Sequence, residues 1–214
     1  MYYQFLVEDQ SGGQLVELLM QKVKAKFPET SYSVKSFKGI GGFTKKNTVK
    51  ETKDGKLLND LSTYLRGFNK ALAGMPSVVI VVLDNDQNDP AVFYQKLCEV
   101  SEQNQIQIDH AFCLAIEETE AWLLGDEHAI RSAYPKANLG ALHEYRQDSI
   151  CGTWEVLANV VYKGGLAAMK KLSWAEQGRE KFVWASMIGP FMTLKGNKSP
   201  SFQAFIQEIL SRAA

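Results

Sequence analysis

The chain has 214 residues, 45% of them apolar and 22% charged, an ordinary globular composition that excludes general disorder. Lys+Arg and Asp+Glu both number 24 and the net charge is zero. That excludes a histone-like binder held to nucleic acid by bulk charge, but not an enzyme with a local basic groove.

In chain order, Tyr3 to Val7 reads as a short strand that breaks at Glu8-Asp9-Gln10-Ser11-Gly12-Gly13. Leu15, Leu18, Leu19 and Val23 then recur at helical spacing, and that helix ends near Phe27-Pro28. Ser31 to Phe37 is a second strand. The glycines of Lys38-Gly39-Ile40-Gly41-Gly42-Phe43 require a loop, and a lysine-rich stretch leads on to a helix over Leu57 to Leu72.

Val78 to Leu83 is apolar on both faces and reads as a central parallel strand. Asp89-Pro90 starts a helix, with Asp as N-cap and Pro at the first helical position. Ile108 to Ile116 is a fourth strand. Beyond Thr119 helices dominate: around Trp122, over Trp154 to Val161, over Trp174 to Met187, and after Ser199-Pro200, where Ser199 is an N-cap.

Strands alternating with helices predict an α/β fold with a parallel sheet covered on both faces. The expected division is an α/β core over residues 1–126 and a helical C-terminal extension over 127–214 that packs on it. Trp122, Trp154, Trp174 and Trp184 are expected to pack the helical half. Three widely spaced cysteines form no zinc or disulfide pattern, which fits a reducing cytoplasm. The N-terminus has no signal-peptide pattern, and the longest apolar run is too short to span a bilayer, so no membrane association is expected.

In open parallel sheets, ligands bind at the carboxyl ends of the strands. Three of the four strands here end in acid: Glu8-Asp9, Asp84-Asn85-Asp86 followed by Asp89, and Glu117-Glu118 followed by Glu120. Crowded carboxylates repel one another and resist desolvation, and a hard dication removes both penalties. Oxygen-only ligands favour Mg²⁺ or Mn²⁺, and Mg²⁺ combines one or two carboxylates with substrate phosphates. In extended backbone Asp84 and Asp86 would face one metal while Asn85 points away. Asp89 is first an N-cap. Glu117 and Glu118 alternate, so only one of them faces the site, and Glu120 stands at a helix start.

Phe5-Leu6-Val7-Glu8 and Val81-Val82-Leu83-Asp84-Asn85-Asp86 resemble the signature of the Toprim superfamily, a glutamate after the first strand and a D-x-D after a later one. That superfamily comprises the catalytic domains of topoisomerases, primases and overcoming-lysogenization-defect type nucleases. Glu117-Glu118-Thr119-Glu120-Ala121-Trp122 and Asn197-Lys198-Ser199-Pro200 add a resemblance to uncharacterised bacterial Toprim-like proteins, some encoded beside ATPases in anti-phage defence loci. The resemblance implies a Toprim-like sheet in which Glu8 acts as general acid/base or metal ligand and Asp84 and Asp86 hold Mg²⁺. Among Glu117, Glu118 and Glu120 it favours Glu120. A Toprim glutamate is commonly followed by glycine, where this chain has Asp9, so Gly12 and Gly13 are the candidates for close substrate approach. No tyrosine stands in the context of a topoisomerase nucleophile.

The glycines of the 39–42 loop are candidates to cradle a phosphate through backbone N–H groups, without the G-K-[ST] ending of an ATP-binding loop. Lys35, Lys38, Lys45, Lys46, Lys50, Lys53 and Lys56 form a basic stretch, and Lys195 and Lys198 flank the last helix start. Each is either a solvated face or a phosphate-backbone contact. The leading expectation is a Mg²⁺-dependent phosphodiesterase, a nuclease acting on nucleic acid. The alternatives are a non-catalytic Toprim-like partner of an ATPase and a nucleotide-processing phosphotransfer enzyme. A homo-oligomer through the apolar helices of the second half is also compatible.

Overall fold

The computed structural model describes residues 1–42 and 56–213. Lys45, Lys46, Lys50 and Lys53, four of the seven lysines of the expected basic stretch, fall outside the described residues.

Four parallel strands form one sheet in the order β2-β1-β3-β4, with β1 at Tyr2–Val7, β2 at Ser31–Ser36, β3 at Ser77–Asp84 and β4 at Asp109–Ala115. The chain steps one way from β1 to β2 and the other way from β2 through β3 to β4. Right-handed crossovers then require the first connecting helix on one face and the next two on the opposite face. The apolar clusters follow this rule. α1 (Gln10–Lys26) packs on one face against Tyr3, Phe5, Val78, Ile80 and Val82. α2 (Leu57–Ala71) and α3 (Pro90–Gln103) pack on the other against Leu6, Val79, Val81 and Leu83. Every residue of β3 is buried, which is why its sequence is continuously apolar rather than alternating.

The remaining chain is helical: α4 (Glu120–Leu124), α5 (Glu127–Ala133), α6 (Leu139–His143), α7 (Thr153–Val161), α8 (Gly165–Met169), α9 (Trp174–Ile188) followed by a 3₁₀ turn, and α10 (Pro200–Ala213). These helices share the apolar core of the α1 face, through Trp184, Ile188, Phe202 and Phe205 among others. Trp122 lies at the centre, stacked on Phe205 at 4.7 Å, with its indole N–H donated to Ser201 Oγ at 2.9 Å. Burial of Trp122 and Trp184 matches the expectation for the tryptophans, but Trp174 is 89% exposed. It is the first residue of α9, after the Ser173–Glu176 capping box, where a side chain precedes the buried stripe of its helix.

The Asn197-Lys198-Ser199 segment docks on the end of α4. Lys198 N donates to Gly125 O, Asn197 Nδ2 donates to Trp122 O, and Ser199 Oγ accepts from Phe202 N as the N-cap of α10. A Cβ on Gly125 would overlap Asn197 Oδ1 and stand 2.9 Å from Ser199 N. Gly125→Ala is therefore expected to cost about 2–3 kcal/mol, the range of overpacking in a well-filled core. That would lower the melting temperature by about 5–10 °C; a thermal melt equal to wild type would mean that this docking contributes nothing. No helix among the described residues is long and apolar enough to cross a membrane.

Candidate functional site

β1 and β3 are neighbours whose outgoing connections run to opposite sides, so the crevice at their carboxyl ends is the switch point of the sheet, the place where such folds bind ligands. Glu8 follows β1 and Asp84 ends β3. One Glu8 carboxylate oxygen accepts from Asp84 N at 3.0 Å. Asp84 Oδ1 in turn accepts from Thr119 N at 2.9 Å. Each carboxylate is thus oriented by a backbone N–H that leaves its second oxygen outside that bond.

Asp9, standing where the resembling family has glycine, is the N-cap of α1. Its carboxylate accepts from Gly12 N at 2.7 Å and from Ser11 Oγ at 2.8 Å. Gly12 and Gly13 are buried, and a Cβ on Gly13 would overlap Ser36 Oγ of β2. The small size of Gly13 serves the packing of α1 on the sheet, and Gly12 lies against Asp9, Val7 and Thr119.

The turn after β3 also departs from expectation. Asp86 has φ 49°, so the backbone is not extended through Asp84-x-Asp86, and the premise that both aspartates share a side fails. Asp84 is buried and Asp86 exposed. Asn85, expected to point away, is fully buried and holds the turn: its Oδ1 accepts from Glu117 N at 2.8 Å and its Nδ2 donates to Asn88 O at 2.6 Å. Asp89 caps α3, accepting from Ala91 N and Val92 N at 3.0 Å.

The three glutamates after β4 part company. Glu117, at φ 62°, turns its carboxylate onto the N–H groups of Cys151, Gly152 and Thr153 at 2.7–3.2 Å. It caps the start of α7, a structural task that consumes its acceptor capacity. Glu118 and Glu120 instead meet Lys181 of α9, whose Nζ lies 3.4 Å from Glu118 Oε1 and 3.3 Å from Glu120 Oε2.

Lys181 is the functional residue that sequence reasoning missed. It lies on the stripe that α9 buries, in line with Trp184, Ala185 and Ile188 at i+3, i+4 and i+7. A lysine at a core-facing helical position was the available signal. Burial opposes its charge, but Glu120, Glu118, Asp84 and Asp9 outweigh that penalty and hold its pKa well above the usual lysine value.

The carboxylates respond in the opposite direction. Burial pushes the Glu8 carboxyl from 4.5 up to about 8, with Asp86 and Asp9 adding repulsion and the Asp84 N–H and Lys181 opposing. Burial raises Glu120 to about 7 against the pull of Lys181. Asp84 is raised well above the normal range by burial and then by Glu8, Asp9 and Glu120. Glu118 and Asp86 are also raised, each mainly by burial. Among the described residues, the Lys181 ammonium therefore faces more carboxylates than it can neutralise.

Among the described residues, no three acid, histidine or cysteine side chains stand together as a ready metal cage. Mg²⁺ does not need one, because it keeps several waters and takes one or two carboxylates plus phosphate oxygens. The donor set fits such an ion: all oxygen, desolvated, over-rich in negative charge, and oriented by backbone N–H groups on adjacent strands.

Around the rim, Lys38 is exposed on the loop after β2, and Gly39 N donates to Glu8 O at 2.9 Å. Gly42 N donates to Asn59 Oδ1. Two of the N–H groups expected to cradle a phosphate are therefore engaged within the protein. Lys195 and Lys198 are exposed on the segment that docks on α4. Lys198 borders a cavity of about 330 Å³ with Glu127, His143, Tyr145 and Gln147 rather than the carboxylate rim. Compared with known protein families, curated proteins and solved structures, the chain matches none.

Proposed function

We propose that this chain is a Mg²⁺-dependent phosphodiesterase with a Toprim-like core, a nuclease acting through the carboxylates at the ends of β1 and β3. The observation that carries this reading is the Glu8–Asp84 pair at the switch point. Two desolvated carboxylates stand at the ends of adjacent strands, joined by the Glu8···Asp84 N hydrogen bond, in an acidic cluster that also holds Lys181. A cluster of that charge at a sheet end is costly to fold and is the kind of arrangement found where function requires it.

Glu8 and Asp84 would hold the metal, with Asp86 at the exposed edge of the rim beside them. Bound there, the ion would supply Lewis acidity toward a phosphoryl oxygen and a lowered pKa for a ligated water. If Glu8 instead stays free of the ion, its carboxyl, raised by burial, suits exchange of a proton with the attacking water or the leaving oxygen. The Thr119 N–H fixes Asp84, and the capped start of α1 fixes the backbone next to Glu8. Lys38, beside the rim, supplies positive charge for a phosphate backbone.

The test is cleavage of plasmid, linear and single-stranded DNA and of RNA in Mg²⁺, Mn²⁺ or EDTA, beside an Asp84→Ala/Asp86→Ala double variant. Metal-dependent cleavage in the wild type, lost by 100-fold or more in the variant, is expected. Equal cleavage by both proteins would end this reading.

A second reading is favoured by the Lys181 pairs, which link α9 to the rim as an internal ion network. Such networks also shift pKa values without catalysis. On this reading the chain is a non-catalytic module that docks on an ATPase. Absence of cleavage with every substrate, together with co-purification of an ATPase, would select it.

A further inference from the structure

We propose that Lys181 is a built-in cation of the rim, occupying the position that a second metal would take, so that the site binds a single divalent ion. The inference rests on the metal-dependent reading above and concerns how many ions that reading requires.

Of the acids after β4, Glu118 and Glu120 are the two not used to cap α7, and a second ion would draw on them. In two-metal phosphoryl-transfer sites the second cation sits about 3.5–4 Å from the first and draws on carboxylates of its own. Here that role is filled by Lys181 Nζ, 3.4 Å from Glu118 and 3.3 Å from Glu120. The site is closed around it: the Glu120 side chain is 2% exposed, and those of Glu118 and Lys181 are each 19% exposed. A hydrated dication has no open approach to Glu120 unless the ammonium leaves.

The helix that carries the ammonium is fixed in place. Lys181 shares its helical stripe with Trp184, Ala185 and Ile188, all buried in the common core. The start of the 3₁₀ turn after α9 is pressed against α1, where a Cβ on Gly189 would stand 2.7 Å from Leu18. Moving the backbone at Lys181 away from the rim would mean unpacking α9, and the ammonium itself is held by its pairs with Glu118 and Glu120. The helical C-terminal part therefore completes the site by supplying its fixed positive charge, while Glu8 and Asp84 remain for the exchangeable ion. Lys181 is a positioning residue in this scheme: it holds Glu118 and Glu120 and bars a second ion.

The experiment is Mn²⁺ titration of the metal-free full chain, counting bound ions by electron paramagnetic resonance and calorimetry, for wild type, Glu120→Gln and Lys181→Met. Expected are one Mn²⁺ per wild-type chain, an affinity within about 3-fold of wild type in Glu120→Gln, and a second Mn²⁺ in Lys181→Met. A true metal ligand at Glu120 would instead weaken binding by 10-fold or more. Two Mn²⁺ per wild-type chain, a 10-fold loss in Glu120→Gln, or one Mn²⁺ in a folded Lys181→Met would each overturn the proposal while leaving a metal-dependent site standing. No bound Mn²⁺ in any protein would overturn both. Should Lys181→Met fail to fold, the wild-type count and Glu120→Gln decide the matter.

Discussion

Asp84→Asn is expected to raise the melting temperature of the metal-free protein at pH 8 while reducing Mg²⁺-dependent cleavage by 100-fold or more. The two effects have one origin. Asp84 is buried among Glu8, Asp9 and Glu120, all of which resist its ionisation. Asparagine keeps the acceptor for Thr119 N and replaces the second oxygen with an amide that can donate to those carboxylates. Removing one charge from a like-charged buried cluster should stabilise the fold by about 1–3 kcal/mol, or about 3–10 °C. The same change removes an anionic metal ligand, hence the loss of rate. A variant that melts below wild type and cleaves normally would show that Asp84 is a structural turn residue.

Metal-free protein is expected to lose stability as pH rises from about 5 to 8.5, and added Mn²⁺ to restore it increasingly over the same range. Glu8 has a folded pKa of about 8 against an ordinary 4.5, and Glu120 one of about 7. In both cases burial is the main cause. The folded state therefore holds these protons more tightly than the unfolded chain. Their contribution is complete below about 4.5 and is lost as pH climbs through the folded values. Lys181 does not offset the trend, since its pKa is raised and it stays charged throughout. The carboxylates share one cluster, so the combined loss should be on the order of 2–4 kcal/mol rather than the sum of separate shifts. Mn²⁺ competes with those protons, so the gap between melts in Mn²⁺ and in EDTA should widen with pH. Parallel melting curves at pH 6 and pH 8.5 would refute this linkage.

The sheet was legible because its signals are local. β3 reads as a central strand from its unbroken apolar run, and α3 from Asp89-Pro90, since burial on both faces and N-capping leave direct marks in composition. The acids at three strand ends were likewise visible, and a parallel sheet brings strand ends to one rim whatever the strand order. The order β2-β1-β3-β4, which makes β1 and β3 neighbours and pairs Glu8 with Asp84, followed only from the assembled sheet.

Local sequence could not sort the acids by task. Glu117 and Glu118 are adjacent, yet one caps α7 and the other meets a lysine, because each partner comes from a helix more than thirty residues away. Asp86 turned out of the extended path because a positive φ was imposed by the Asn85 hydrogen bonds to Glu117 N and Asn88 O. Gly13 serves α1 packing because β2, with Ser36, passes beneath it. Lys181 shows the division most clearly. Its helix and its place on the buried stripe are written in the periodicity of residues 174–188. That this stripe ends against carboxylates rather than leucines depends on α9 crossing α1 beside the rim, a long-range contact that no local pattern encodes.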